Sequence, residues 1–389
     1  MPFPRPAPAL LLVLAVACAP AVSPGAGHGA DDRLTAQEKR AGLTSEKLPR
    51  LAFDEAVYSR SLSGARCQRL DSTFAALFRK SGATGLTACV VLPEEGTWRG
   101  AAGVEDAASA TPITPHSRFH AGSIGKFATA VLILELVQQR RLSLDTPLRR
   151  WFPEIAGSDR ITVDHLLSHT SGLTASVPDS GLLPSVAARV TAAAAGGLLF
   201  DPGHGFSYSN PGYMALGLIL EKLHGRALAD VIDSLFIRRL GLDDSGALTA
   251  ANRDTLLIPS THQGRLGWES VDYASPGGAG ILAGTPADLV RALHQVLASK
   301  MLEPAVGARL VSRLYPMQPL PASLFWGRGL MVFDTPLGRM FYVAGRIKGF
   351  GAMAGYLPGR GMLVSVMVND DHQVEPVMYG LVKSLETVR

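Results

Sequence analysis

The sequence predicts one α+β domain, with an antiparallel sheet assembled from both ends of the chain and a mostly helical subdomain inserted between the two halves. Two observations predict it. Apolar runs of strand length occur near the front, at residues 86–92 and 96–103, and again in series after residue 324. The stretch between, to about residue 301, carries apolar residues at helical spacing, broken by loops rich in Gly, Pro and Ser. No internal repeat divides the chain.

Residues 1–19 read as an export signal. Arg5 supplies a basic start, residues 9–19 a short apolar core, and small residues surround Cys18. The core is too short to span a bilayer. Ala15-Val16-Ala17-Cys18 leaves two readings open: ordinary cleavage, or a lipid anchor on Cys18. The protein is expected outside the cytoplasm, as a periplasmic, lipid-anchored or secreted chain. Residues 20–60, rich in Ala, Gly, Pro and charge, read as a flexible tether. Residues 61–389 form the domain, its sheet region at 61–125 and 320–389 and its helical region at 126–319.

Within the domain an amphipathic helix covers 65–80 and stops at Ser81-Gly82. The strands at 86–92 and 96–103 pair around the turn Pro93-Glu94-Glu95-Gly96. A largely buried helix starts near Ser123, another at 161–167, and a third runs over 211–224 to Gly225. Thr285 caps a further helix with Pro286 in its first turn. Strands follow at 325–333, 340–343, 350–357 and 361–368, the last two joined at Pro358-Gly359-Arg360, before a final helix over 374–387.

Composition excludes several functions. Of 389 residues 47% are hydrophobic and 18% charged, which is ample for a large core and rules out global disorder. The net charge of +4 is spread thinly, with no Lys/Arg run, so no nucleic-acid partner is expected. No Cys/His cluster has ligand spacing, so neither a metal nor a cofactor is expected. Cys67 and Cys89 leave two readings open, a disulfide or two separate buried thiols.

Chemistry concentrates at Gly122-Ser123-Ile124-Gly125-Lys126, at the start of an apolar run. Residues three apart share one side of a helix, so Ser123 and Lys126 face one space. That is the arrangement a hydroxyl nucleophile needs from an activating amine. The helix start favours a developing alkoxide and a neutral Lys. A second constellation, Tyr208-Ser209-Asn210, precedes a helix. A Tyr beside a cationic Lys has its pKa lowered toward that of a general base, and an Asn amide can hold the Lys and a substrate amide.

With these segments in this order, the chain resembles the serine β-lactamase and penicillin-binding-protein superfamily, in its class C β-lactamase-like branch with related esterases and D-amino-acid-specific peptidases. The resemblance rests also on Ile161 through Leu173, on Gly277-Gly278-Ala279-Gly280 leading to Thr285, and on Gly349-Phe350 onward to Asn369. It implies a β-lactamase/transpeptidase-like fold and an acyl-enzyme on Ser123. Lys126 and Tyr208 would share the proton transfers, with the division between them left open. Asn210 would orient Lys126 and the substrate. The backbone N–H groups of Ser123 and Arg346 would hold the oxyanion. Gly345 would let substrate approach the strand edge.

One position departs from the family pattern. Where a Lys or His usually stands before Gly345, this chain has Val343. Arg346 and Lys348 lie close by, but Arg346 faces opposite to Val343 unless a bulge intervenes. The loss favours a small-molecule or peptide acyl substrate without a carboxylate near the scissile bond, an ester above all. A β-lactam or D-residue amide stays open, as does a non-catalytic relative that binds a cell-wall or peptide ligand in the same cleft. His169 reads as a structural hydrogen-bonder, His204 as a residue lining the cleft, and His120 has no assigned role.

Overall fold

The structure, a computed structural model, describes residues 43–49, 51–106, 108–175, 185–262, 265–266, 276–317 and 323–386, together with Leu34 and Lys39. The expected export signal and Cys18 lie outside the described residues.

Helix α1 (Gly64–Ser81) ends on Gly82 at φ 71, the left-handed conformation that glycine adopts at least cost. The hairpin β1 (Gly85–Leu92) and β2 (Gly96–Gly103) follows, paired without a break from Gly85↔Gly103 to Leu92↔Gly96. Strand β3 (Phe119–His120) enters a short 3₁₀ turn (Gly122–Ile124) and then α2 (Gly125–Gln138). The helical region contributes α3 (Val163–Leu167) and α4 (Asn210–His224). After it come β4 (Gly246–Ala247), β5 (Leu282–Gly284) and α5 (Pro286–Leu297). The chain then lays down β6 (Tyr315–Pro316), β7 (Leu324–Trp326), β8 (Met331–Thr335) and β9 (Gly338–Ile347). Last are β10 (Phe350–Leu357), β11 (Met362–Val368) and α6 (Glu375–Ser384).

The main sheet has eight strands in the order β2-β1-β11-β10-β9-β8-β7-β6, with antiparallel neighbours throughout. The N-terminal hairpin docks on the last strand, from Leu86↔Val368 to Val91↔Leu363, so both ends of the domain meet in one sheet as predicted. Strands β1, β10 and β11 are buried at every position, because helices cover both faces. On one face Phe74 of α1 meets Trp98 edge-on at 5.5 Å between ring centroids. On the other, Cys89 looks toward Tyr58 and toward Asp288 of α5.

Four expectations need correction. The tether predicted over 20–60 is packed where it is described: Leu43, Val57 and Tyr58 are buried, and Tyr58 Oη lies 3.0 Å from His294 Nδ1. Residues 43–60 contain no Gly and one Pro, and their apolar side chains anchor the segment to the core. The strand predicted over 325–333 is two strands, because Gly327–Gly329 turns the chain, with Gly327 N–H donating to Leu330 O at 2.9 Å. The strand predicted over 340–343 runs from 338 to 347, because both flanking strands pair with it. The sheet region also reaches back to Tyr315, inside the predicted helical region. Cys67 and Cys89 are free thiols on separate elements, which decides against a disulfide, and burial pushes the Cys89 thiol up to about 12. Among the described residues no helix is long and apolar enough to cross a membrane.

A buried ion pair ties the helical region to the sheet. Arg328, in the β7–β8 turn, reaches both carboxylate oxygens of Asp164 on α3, the side chains being 2% and 4% exposed. Removing one partner leaves a buried charge unmatched. Arg328→Ala is therefore expected to lower unfolding free energy by about 3–5 kcal/mol in urea titrations. Arg328→Met combined with Asp164→Leu should recover most of that loss.

Candidate active site

The turn between β3 and α2 is where Ser123 emerges. Gly122 sits at φ 55, and its N–H donates to His120 Nδ1 at 2.8 Å. That gives His120 a role the sequence did not show, as the residue that closes this turn. Ala121 N–H donates to Leu282 O at 2.9 Å and pins the turn to β5. Ser123 is the half-buried residue between buried Gly122 and Ile124.

Two glycines press this turn against β9. A Cβ on Gly345 would stand 2.0 Å from Ala121 O and 2.6 Å from Ser123 N, and one on Gly122 would stand 2.7 Å from Arg346 N. Only residues without side chains permit that approach. It brings the backbone N–H groups of Ser123 and Arg346 to one place, beside the stretch of β9 that extends past β8, whose pairing stops at Tyr342.

Lys126, in the first turn of α2, is fully buried. Its Nζ lies 3.0 Å from Ser123 Oγ, 2.8 Å from Asn210 Oδ1 and 2.9 Å from Ala279 O. Among the described residues no carboxylate pairs with it, and burial alone holds its pKa well below the usual lysine range. Asn210 is free for this because Ser209 does the capping of α4, its Oγ accepting from Gly212 N–H at 3.2 Å.

The Ala279 carbonyl was missed from sequence, since a backbone acceptor has no residue signature. The indirect signal was the glycine run. A Cβ on Gly278 would lie 2.4 Å from Tyr213 O, and one on Gly125 would lie 2.9 Å from Gly280 Cα. The 277–280 turn can therefore wedge between α2 and α4.

Tyr208 joins the cluster, with Lys126 Nζ 4.9 Å from its ring centroid. Its hydroxyl faces Ser123 but makes no hydrogen bond of regular geometry. Burial pushes the phenol up, and the Ser123 hydroxyl pulls it only part of the way back. The expected lowering of its pKa is therefore reversed, because burial of the phenol outweighs the pull of its neighbours.

The remaining expectations resolve plainly. Strand β9 pairs with β10 in unbroken register from Phe341↔Tyr356 to Ile347↔Phe350, so no bulge turns Arg346 inward. Its guanidinium donates to the carbonyls of Asp371 at 3.0 Å and His372 at 3.2 Å, while its backbone nitrogen lies against the Gly122 turn. Val343 is buried, and Lys348 is exposed in the turn between β9 and β10. His204 lies 3.1 Å from Pro202 O in its own turn, and nothing places it in the site. His169 is a buried hydrogen-bonder, as read.

The sequence pattern of the beta-lactamase family matches residues 70–386, and the chain belongs to that family. Among curated relatives, esterase EstB from Burkholderia gladioli is 32% identical over 203 residues, covering 47% of this chain and 52% of EstB. The chain thus aligns with about half the length of that relative. Penicillin-binding protein 4 from Amycolatopsis lactamdurans is 28% identical over 293 residues, 69% of this chain and 76% of that one. The solved D-amino acid amidase from Ochrobactrum anthropi SV3, in complex with L-phenylalanine amide, shares the fold at TM-score 0.73 and 22% identity, covering 83% of this chain and 99% of its own. These solved relatives carry the β-lactamase/transpeptidase-like fold that the sequence resembled.

Because the glycine contact at β9 sets where the two N–H groups meet, Gly345→Ala is expected to lower kcat/KM by roughly 10²-fold, the worth of one oxyanion donor. Circular dichroism should show the fold retained.

Proposed function

We propose that this chain is a serine hydrolase forming an acyl-enzyme on Ser123, acting on an ester or on an amide with no carboxylate next to the scissile bond. One observation carries it: the three partners of Lys126. Ala279 O accepts only, and Asn210 Oδ1 accepts only, so they take two N–H bonds. A neutral amine has two such bonds and one lone pair. The lone pair is left for the Ser123 hydroxyl, which then donates to Nζ. The arrangement suits a base poised on its nucleophile. A protein that merely bound ligand would have no use for a lysine deprived of its charge.

The reaction follows from this placement. Ser123 Oγ attacks the acyl carbon as its proton passes to Lys126 Nζ. The carbonyl oxygen gathers charge between the N–H groups of Ser123 and Arg346. Tyr208 gives its hydroxyl proton to the leaving alkoxide or amine and is reprotonated from the Lys126 ammonium. Water then attacks the ester on Ser123, its proton travelling the same route in reverse, and the acid leaves with Oγ–H restored. Apo hydroxyl geometry such as that of Tyr208 often tightens only with substrate bound.

The substrate class is supported by what surrounds the strand edge. Val343 is buried where the family pattern has a cation, and the Arg346 side chain is held by carbonyls on the far face of β9. The relative named an esterase fits the same reading.

A fluorophosphonate probe should add one label by intact mass, and Ser123→Ala should remove it; labelling of the alanine variant would overturn the assignment. Lys126→Arg, which cannot lose its proton, should cost at least about 10²-fold in kcat/KM on p-nitrophenyl esters. Since the working form is the free amine and its pKa is depressed, activity should rise with pH along an acid limb far below the ordinary lysine range. Val343→Lys should raise turnover of a carboxylate-bearing β-lactam relative to a simple aryl ester, and an unchanged ratio would remove this account of substrate choice.

A further inference from the structure

His169 has a conformation that its residue type rarely takes. It follows α3 at φ 60, in the left-handed region, and is fully buried. That backbone reversal folds its ring back beneath the loop that carries Tyr208. The His169 carbonyl accepts from Ser207 N–H at 2.9 Å, and its Nδ1 lies 3.0 Å from Ser209 N. Those are the two residues on either side of Tyr208. Its imidazole also lies against the Tyr208 ring, 4.4 Å between centroids and tilted by 41°.

We propose that His169 is a positioning residue for Tyr208, holding the phenol against Ser123 through the two flanking N–H groups and the stacked ring. The proposal rests on the serine-hydrolase reading above and assigns no proton transfer to His169 itself.

The contacts define what His169 has to be. A backbone N–H can only donate, so Nδ1 must present its lone pair to Ser209, and the ring proton sits on Nε2. Nε2 is buried with no hydrogen-bond partner among the described residues. It stands instead among rings, with Trp326 at 4.6 Å and Tyr213 at 5.0 Å between centroids. Burial works against a second proton, and any charge Lys126 takes up adds to that, which keeps the Nδ1 lone pair in place. A histidine retained only for packing would need neither the left-handed backbone nor the acceptor aimed at Ser209.

The test separates the acceptor from the backbone. Glycine and asparagine both tolerate φ 60, and Asn Oδ1 occupies the same bond position as His Nδ1. His169→Gly is expected to lower kcat on p-nitrophenyl esters by about 10²-fold, the cost of a small misplacement of a catalytic group. KM should change by less than about threefold, as binding contacts stay in place. His169→Asn should return kcat to within about tenfold of wild type. Both variants should keep the fluorophosphonate label on Ser123, the glycine variant acquiring it more slowly. Equal kcat for the two variants, or a glycine variant as active as wild type, overturns the proposal. Should the glycine variant fail to fold by circular dichroism, His169→Asn decides alone, and a kcat more than about tenfold below wild type in a folded variant overturns the proposal. Labelling that vanishes in Ser123→Ala while His169→Gly stays fully active would leave the hydrolase reading standing and sink this one alone.

Discussion

Taking a protonated lysine out of water costs several kcal/mol unless an opposite charge or a full set of acceptors meets it. Lys126 is buried with three oxygen partners but no paired carboxylate among the described residues, and burial lowers its pKa, which favours the neutral amine. Its surroundings are built for that form. Two obligate acceptors, from the 277–280 turn and from the start of α4, take two of its hydrogens, and Ser123 Oγ is its third partner. On the proposed reading, the reactivity of the hydroxyl is a consequence of how completely the amine is sealed.

Sealing it requires backbones to approach more closely than side chains allow. Gly125 meets Gly280, Gly217 meets Gly278, and Gly122 meets the strand at Arg346. Each contact joins segments far apart in sequence, and each would be pushed open by a single methyl group. The same closeness that buries Lys126 brings two backbone donors together beside Ser123. In the proposed reaction, activation of the nucleophile and stabilisation of the oxyanion therefore share one packing arrangement.

The helical region is held to the sheet by a second set of buried polar contacts. Leu167 O accepts from Tyr213 Oη at 2.8 Å and from Trp326 Nε1 at 3.1 Å, while Arg328 grips Asp164. Between these clamps lie His169, Tyr208, Tyr213 and Trp326, in ring contact with one another. A phenol delivered by a loop from the helical region is in this way fixed relative to a serine at the sheet's edge.

Much of this was legible in the residues themselves. Helical spacing placed Ser123 and Lys126 on one side of a helix, because three residues make nearly one turn. Strand-length apolar runs and turn residues gave the hairpin β1–β2 and the strands β10 and β11 within a residue of where they lie. Local propensity governs such features. The helix start pointed to a neutral Lys126, but the sequence could not show that burial raises the Tyr208 phenol, or that Lys126 meets partners 84 or more residues away. Nor could it reveal the Ala279 carbonyl, the grip of His169 on either side of Tyr208, or that no bulge interrupts β9 at Arg346. Those follow from which backbones meet and in what register, and only the folded chain decides that.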